Sequence, residues 1–196
     1  MGYGFLPDTY ATERLKVLSV WSMFEDDDLD VRPHPTDVRG RSVREQMVHQ
    51  AVSENLWFKN MLGIDVAAPP LPTEETRRGF IARYAEDSAR RLDILRSKDD
   101  GWWEEETAFF DTRRSRAWIM VRRIAHTSHH RGQQMAMLRM LARNVHSNYG
   151  PTADTGGLAT NRAPVIYAYE DEDALLAGGT KAVLPGPGEK PATERP

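Results

Sequence analysis

The chain has 196 residues, no cysteine and a formal net charge of −3, which suits one principal domain with a core of its own and excludes disulfides, thiolate metal ligands and a cysteine nucleophile. Weak acidity gives no global pull on nucleic acid, and the arginines at Arg113, Arg114, Arg116, Arg122 and Arg123 come without an aromatic-and-basic binding module, so no nucleic-acid partner is expected. No run approaches the length of a membrane span, and the N-terminus lacks the basic and apolar regions of a signal peptide, so the expectation is a cytoplasmic protein with no membrane partner.

The first helical pattern starts near Asp8 or Thr9, either able to cap, and runs through Leu15, Leu18 and Trp21 to about Phe24. The acidic run Glu25-Asp26-Asp27-Asp28 and then Pro33-His34-Pro35 cannot continue it, which leaves a long loop. A second helix opens on Ser42-Val43-Arg44-Glu45, a capping box in which hydroxyl and carboxylate each satisfy an orphan backbone donor, and ends near Gly63. Its apolar residues form two stripes, Val43, Met47, Ala51, Phe58 and Met61 on one side and Val48, Val52 and Leu56 on the other. Such a helix is either central in the fold or part of a homodimer interface.

A third helix follows Pro72 with Thr73 as its expected cap, Glu74 and Glu75 complementing the helix dipole, and Phe80, Tyr84, Ser88, Leu92 and Leu95 as its inner face. After Asp99-Asp100-Gly101 comes an aromatic stretch, Trp102, Trp103, Phe109 and Phe110, read as a short extended piece over the end of the bundle. A fourth helix runs from about Arg113 or Ser115 to Arg143. Beyond Asn144 glycine and proline punctuate the chain. Long helices without a convincing sheet make an all-α four-helix bundle over residues 1–148, followed by an irregular Gly/Pro-rich C-terminal extension over 149–196.

The fourth helix carries His126-Thr127-Ser128-His129-His130, half of the six histidines of the chain. Residues four apart are separated by about 6 Å of rise and about 40° of rotation, so His126 and His130 can present both imidazoles on one side. Aligned with them lie Ile119, Arg122, Gln133 and Met137, apolar above and below and polar between. Two ligands do not hold a catalytic metal. In a bundle the third comes from a facing helix, and His49 is the sole histidine of the second helix. The competing reading is a solvated helix face that carries histidines with no metal. His129 is read as a flanking residue, His34 and His146 as exposed, and Arg122 and Arg123 as solvated unless one clamps a substrate carboxylate.

Together, Met47-Val48-His49-Gln50 and His126-Thr127-Ser128-His129-His130-Arg131-Gly132-Gln133 resemble the DinB/YfiT-like superfamily, most specifically its His-x-x-x-His-Arg-Gly-Gln signature. Trp21 with its following acidic run, and Tyr149-Gly150-Pro151-Thr152-Ala153-Asp154-Thr155-Gly156-Gly157, look like the same group, and the similarity covers about residues 5–170. The resemblance implies an up-down-down-up bundle, commonly a homodimer, with a divalent metal, zinc or nickel, on His49, His126 and His130. It also implies thiol-dependent transferases or isomerases among the relatives.

Three neutral imidazoles leave most of a metal's charge uncompensated, so a bound water is acidified and a bound thiol deprotonated. Hydrolysis by metal-bound water and S-transfer from a low-molecular-weight thiol cosubstrate both follow, and the family tilts the expectation toward S-transfer on a small-molecule substrate. Glu45, Gln133 and Arg122 are the remaining catalytic candidates. Glu45 already serves as a capping carboxylate, Gln133 can only hydrogen-bond and orient, and Arg122 could bind a substrate carboxylate. The non-enzymatic alternative is a stress-response or interaction protein with a structural metal, which would be closed by a fourth protein ligand.

Overall fold

The computed structural model describes residues 2–157, 159 and 162–186. Its long helices are α1 (Phe5–Met23), α2 (Val43–Asn60), α3 (Arg77–Arg96) and α5 (Arg116–Met140), joined by the short α4 (Asp100–Glu104) and the strands β1 (Glu106–Phe109) and β2 (Thr112–Ser115), with a short α6 (Glu172–Leu176) in the C-terminal segment. No helix among the described residues is long and apolar enough to cross a membrane.

Helix starts follow local chemistry. The Ser42 hydroxyl accepts from the Glu45 backbone N–H while the Glu45 carboxylate accepts from that of Ser42, closing the expected capping box of α2. Helix α5 begins after Ser115, whose side chain accepts from the Trp118 N–H. Two starts differ from the sequence expectation. Helix α1 begins at Phe5 without a side-chain cap, because Pro7 falls in the first turn, where a missing N–H costs no hydrogen bond. Helix α3 is capped by Thr76 rather than Thr73, and Glu74 and Glu75 stay outside it. Here the Glu74 carbonyl folds back over the first turn, 2.3 Å from where a Cβ on Gly79 would stand, an approach only glycine permits.

The aromatic stretch expected to be extended divides: Trp102 and Trp103 lie in the short helix α4, started by the Asp99 side chain accepting from the Trp102 N–H, and Phe109 ends the first strand of an antiparallel hairpin with Glu106 opposite Ser115 and Phe109 opposite Thr112. Its four-residue strands are too short for a period-two pattern to register in the sequence.

Helix α1 packs against α3 and α5, and α2 packs against the same two, leaving α1 and α2 diagonal. Tyr10 bonds to Glu54 and Trp21 to Gln50, so α1 and α2 run oppositely. Arg14 bonds to Ser88 while Arg77 reaches the Ser22 carbonyl, making α3 antiparallel to α1. Arg131 pairs with Glu13 and Trp21 with Gln134, making α5 parallel to α1.

Apolar residues collect at the two ends of the bundle. One cluster joins Val17, Leu18, Trp21, Met47, Phe80 and Leu138, the other Leu6, Phe58, Leu62, Leu95, Trp103 and Ile119. Between them runs a buried polar waist. Glu54 is 1 % exposed and accepts from the Tyr10 hydroxyl (2.6 Å), the Tyr84 hydroxyl (2.9 Å) and Arg91 (3.3 Å), with the Arg123 Nε at 3.9 Å. The Trp21 indole N–H is shared between the Gln50 and Gln134 carbonyl oxygens. The four helices supply many of each other's partners here, although the Gln50 and Gln134 Nε2 atoms and the Nε atoms of Arg91, Arg123 and Arg131 are buried without a hydrogen-bond partner among the described residues.

The C-terminal segment lies along the bundle. Glu172 of α6 takes both ends of the Arg14 guanidinium, Asp154 accepts from Arg139 and from the Val145 N–H, and Asn148 donates to the Lys16 carbonyl. His146, expected at the surface, is 4 % exposed because the returning chain covers it and the Ala182 carbonyl takes its Nε2–H. The proline- and glycine-rich stretch from Pro187 onward lies outside the described residues.

Candidate metal centre

The histidines meet at the level of the polar waist. His49 stands on α2 between the buried Met47 and Phe58, and His126 and His130 stand on α5 between the buried Met120 and Met137. One ligating nitrogen from each lies within 4.8 Å of the others. Ring centroids are 4.5 Å apart for His49–His130 and His126–His130 and 5.5 Å for His49–His126. The His126 and His130 Nε2 atoms are 3.3 Å apart. Zinc–imidazole bonds of about 2.0–2.1 Å in tetrahedral array place two donors about 3.3–3.4 Å apart, so this pair already has the spacing of a shared cation.

A hydrogen-bonded shell sets which nitrogen is free. The His130 Nδ1 lies 3.0 Å from the Gln46 Oε1 and 3.1 Å from the Gln133 Oε1. Both oxygens can only accept, so Nδ1 carries the proton and Nε2 keeps its lone pair. The Gln46 amide N–H donates to the Gln133 oxygen (3.0 Å), and the Gln133 amide reaches the His129 Nε2 (3.1 Å). His126 is held differently. Its Nδ1 is buried without a hydrogen-bond partner among the described residues, and the ring stacks on Trp57 at 5.7 Å and 28°.

The imidazoles are neutral at physiological pH. Burial, followed by the nearby Arg123 guanidinium and the other rings, pushes His126 down to about 3. Burial and His49 push His130 down to about 4. His49 is lowered by burial, then by Arg41 and Arg123. Three neutral imidazoles, each with one nitrogen lone pair to offer, fit a divalent cation. Among the described residues, no carboxylate belongs to the cluster.

The other sequence candidates are spread out. Gln133 touches the His130 ring. Glu45 is exposed, caps α2 and pairs with both ends of Arg32 at 2.6 and 2.7 Å. Its carboxyl is lowered by Arg32 first and then by the Ser42 N–H. Arg122 is exposed, whereas Arg123, expected in solvent, is 1 % exposed and donates to Ser53 and Thr127. No neighbouring element among the described residues lies within 4 Å of where a Cβ on Gly132 would stand, so this position faces outward rather than toward another helix. Sequence reasoning missed Gln46, Trp57 and the Glu54–Arg123 pair. Gln46 stands one turn before His49 on α2, and that spacing was the available signal.

A sequence model described as the DinB family matches residues 9–157. Among solved structures, a DinB-like protein from Bacillus cereus superposes with a TM-score of 0.65 at 15 % identity, covering 74 % of this chain and 95 % of that one. The DinB-like protein YjoA from Bacillus subtilis gives a TM-score of 0.58 at 12 % identity, covering 74 % and 96 %. These two show the shared all-α fold. No curated protein matches the chain. With the family's model spanning three quarters of its length, the chain belongs to the DinB family.

Proposed function

We propose that this protein is a metal-dependent enzyme in which His49, His126 and His130 hold one divalent cation, zinc or nickel, and a low-molecular-weight thiol serves as cosubstrate for S-transfer to a small electrophile. The observation that carries the reading is the convergence of three neutral imidazoles with no carboxylate among them. When bound, such a cation would supply Lewis acidity enough to deprotonate a thiol at neutral pH.

The chain's own residues do the positioning. Gln46 and Gln133 fix the His130 tautomer with Nε2 inward, and Trp57 holds the His126 ring by stacking. His49 and His126 are only partly buried, which leaves a side from which small molecules can enter. Carboxylate bases are scarce among the described residues near the site, because Glu45 is tied to Arg32 and Glu54 is enclosed by two tyrosines and two arginines. This scarcity favours a nucleophile activated by the cation alone over hydrolysis assisted by a side chain. The outer stripe of α2, with Leu56 47 % exposed, is read as the surface for a homodimer.

The experiment is metal analysis of untagged protein with coordination spectroscopy, then a screen of electrophiles, esters and amides with and without a panel of thiols. Three nitrogen ligands with an exchangeable position, and turnover that requires thiol, are expected. A fourth protein ligand would make the site structural, and thiol-independent ester or amide cleavage would make the protein a hydrolase.

A further inference from the structure

A line of aromatic rings leads away from the metal centre. Beyond its contact with His126, Trp57 meets Phe109 edge-on at 5.4 Å and 76° and Phe110 at 6.1 Å and 83°. Phe109 in turn meets Trp118 at 5.0 Å and 77°. Much of this surface is open: Phe110 is 70 % exposed, Val121 53 % and Trp118 42 %. Phe110 belongs to neither core cluster. It also sits at φ +53° at the hairpin tip, a left-handed conformation that asparagine or glycine adopts readily and an aromatic residue adopts against steric cost. The fold thus holds a large apolar side chain exposed, in a strained backbone position, beside the tryptophan that packs on a histidine of the site.

We propose that Trp57, Phe109 and Phe110 form a specificity wall for this centre, receiving the neutral aryl or bulky apolar body of a small molecule whose polar head reaches the cation. The proposal rests on the three-histidine reading above and adds the class of substrate. Guanidinium groups already lie against two of the rings, Arg123 at 5.5 Å from Trp57 and Arg114 at 5.5 Å from Trp118. A cationic body would meet like charge there and is disfavoured, while the rings of the half-buried Phe109 and the exposed Phe110 offer apolar surface, which suits an aryl or aliphatic body.

The test uses zinc-loaded protein and two probes with the same metal-binding head, imidazole and 4-phenylimidazole, titrated calorimetrically. The phenyl group is expected to tighten binding by roughly tenfold or more through burial against the wall. Phe110→Gly, which relieves the backbone strain and keeps the hairpin, and Phe109→Leu should together bring the ratio to within about twofold at unchanged zinc stoichiometry. Equal binding of the two probes to the parent protein overturns the wall and leaves the metal site standing, as does a preference that survives both substitutions. Zinc binding with no affinity for either imidazole overturns the open coordination position and the wall with it. A shift from dimer to monomer in Phe110→Gly, at an unchanged probe ratio, assigns the patch to a second copy of the chain and also overturns the proposal.

Discussion

Replacing Gln46 by leucine removes one of two oxygens that accept the His130 Nδ1–H, at 3.0 Å, and the hydrogen bond that the Gln46 amide N–H donates to the Gln133 oxygen. Outer-shell partners of a ligating histidine are worth about 10–100-fold in metal affinity, or about 1.4 kcal/mol for each factor of ten. Gln133 stands at 3.1 Å from the same nitrogen and can keep the tautomer alone. The single variant is therefore expected at the low end, about tenfold weaker for zinc, and Gln133→Leu similarly. With both oxygens gone, nothing in the shell prefers the proton on Nδ1, and the double variant should lose about a hundredfold. The assay is competition for zinc against a chromophoric chelator at pH 7.5, with helicity by circular dichroism as the control for folding. A double variant that binds zinc within about twofold of the parent would refute the claim that these amides orient His130.

His126→Ala, which takes away a ligand rather than its support, should weaken zinc by more than about a hundredfold while leaving the melting temperature of the metal-free protein nearly unchanged; affinity within tenfold of the parent would exclude His126 as a ligand. Glu54→Gln removes the counter-charge of Arg91 and Arg123, all three about 1 % exposed, and should cost about 3–5 kcal/mol in urea unfolding, since breaking a buried pair strands the surviving cations. Burial first, and then the Glu54 charge, hold Tyr10 and Tyr84 well above the ordinary phenol value. Their contribution to stability is complete below the unfolded pKa of about 10 and is lost as pH rises through and beyond it, because only the unfolded chain ionises readily. Urea midpoints should hold between pH 8 and 9.5 and fall at pH 11, with a flatter profile for the Tyr10→Phe/Tyr84→Phe variant; an identical alkaline slope in that variant would remove the tyrosines as its cause.

What could be read early was what is local. The Ser42–Glu45 capping box, the Ser115 start of α5 and the four-residue spacing of His126 and His130 depend on neighbours within a turn or two, and each stands in the structure where the pattern placed it. His49 is reached as the one histidine on the second helix, and the family resemblance points to the same residue, across an interval that no periodicity spans. The hairpin was seen only as an extended aromatic piece, since four-residue strands carry too little alternation.

The polar waist was invisible for a different reason. Glu54, Arg91, Arg123 and Arg131 look like solvated residues in any helical wheel, and only the meeting of α1, α2, α3 and α5 gives them partners deep enough to stay buried. His146 is the same case in the C-terminal segment, buried by chain that returns from beyond it. The sequence by itself determined the helices, their caps and the pair of imidazoles on one face, because backbone hydrogen bonds and side-chain periodicity act over a few residues. Tertiary structure decided which polar groups lie inside, which tautomer His130 adopts and how the rings converge, because those outcomes are set by contacts between residues distant in the chain.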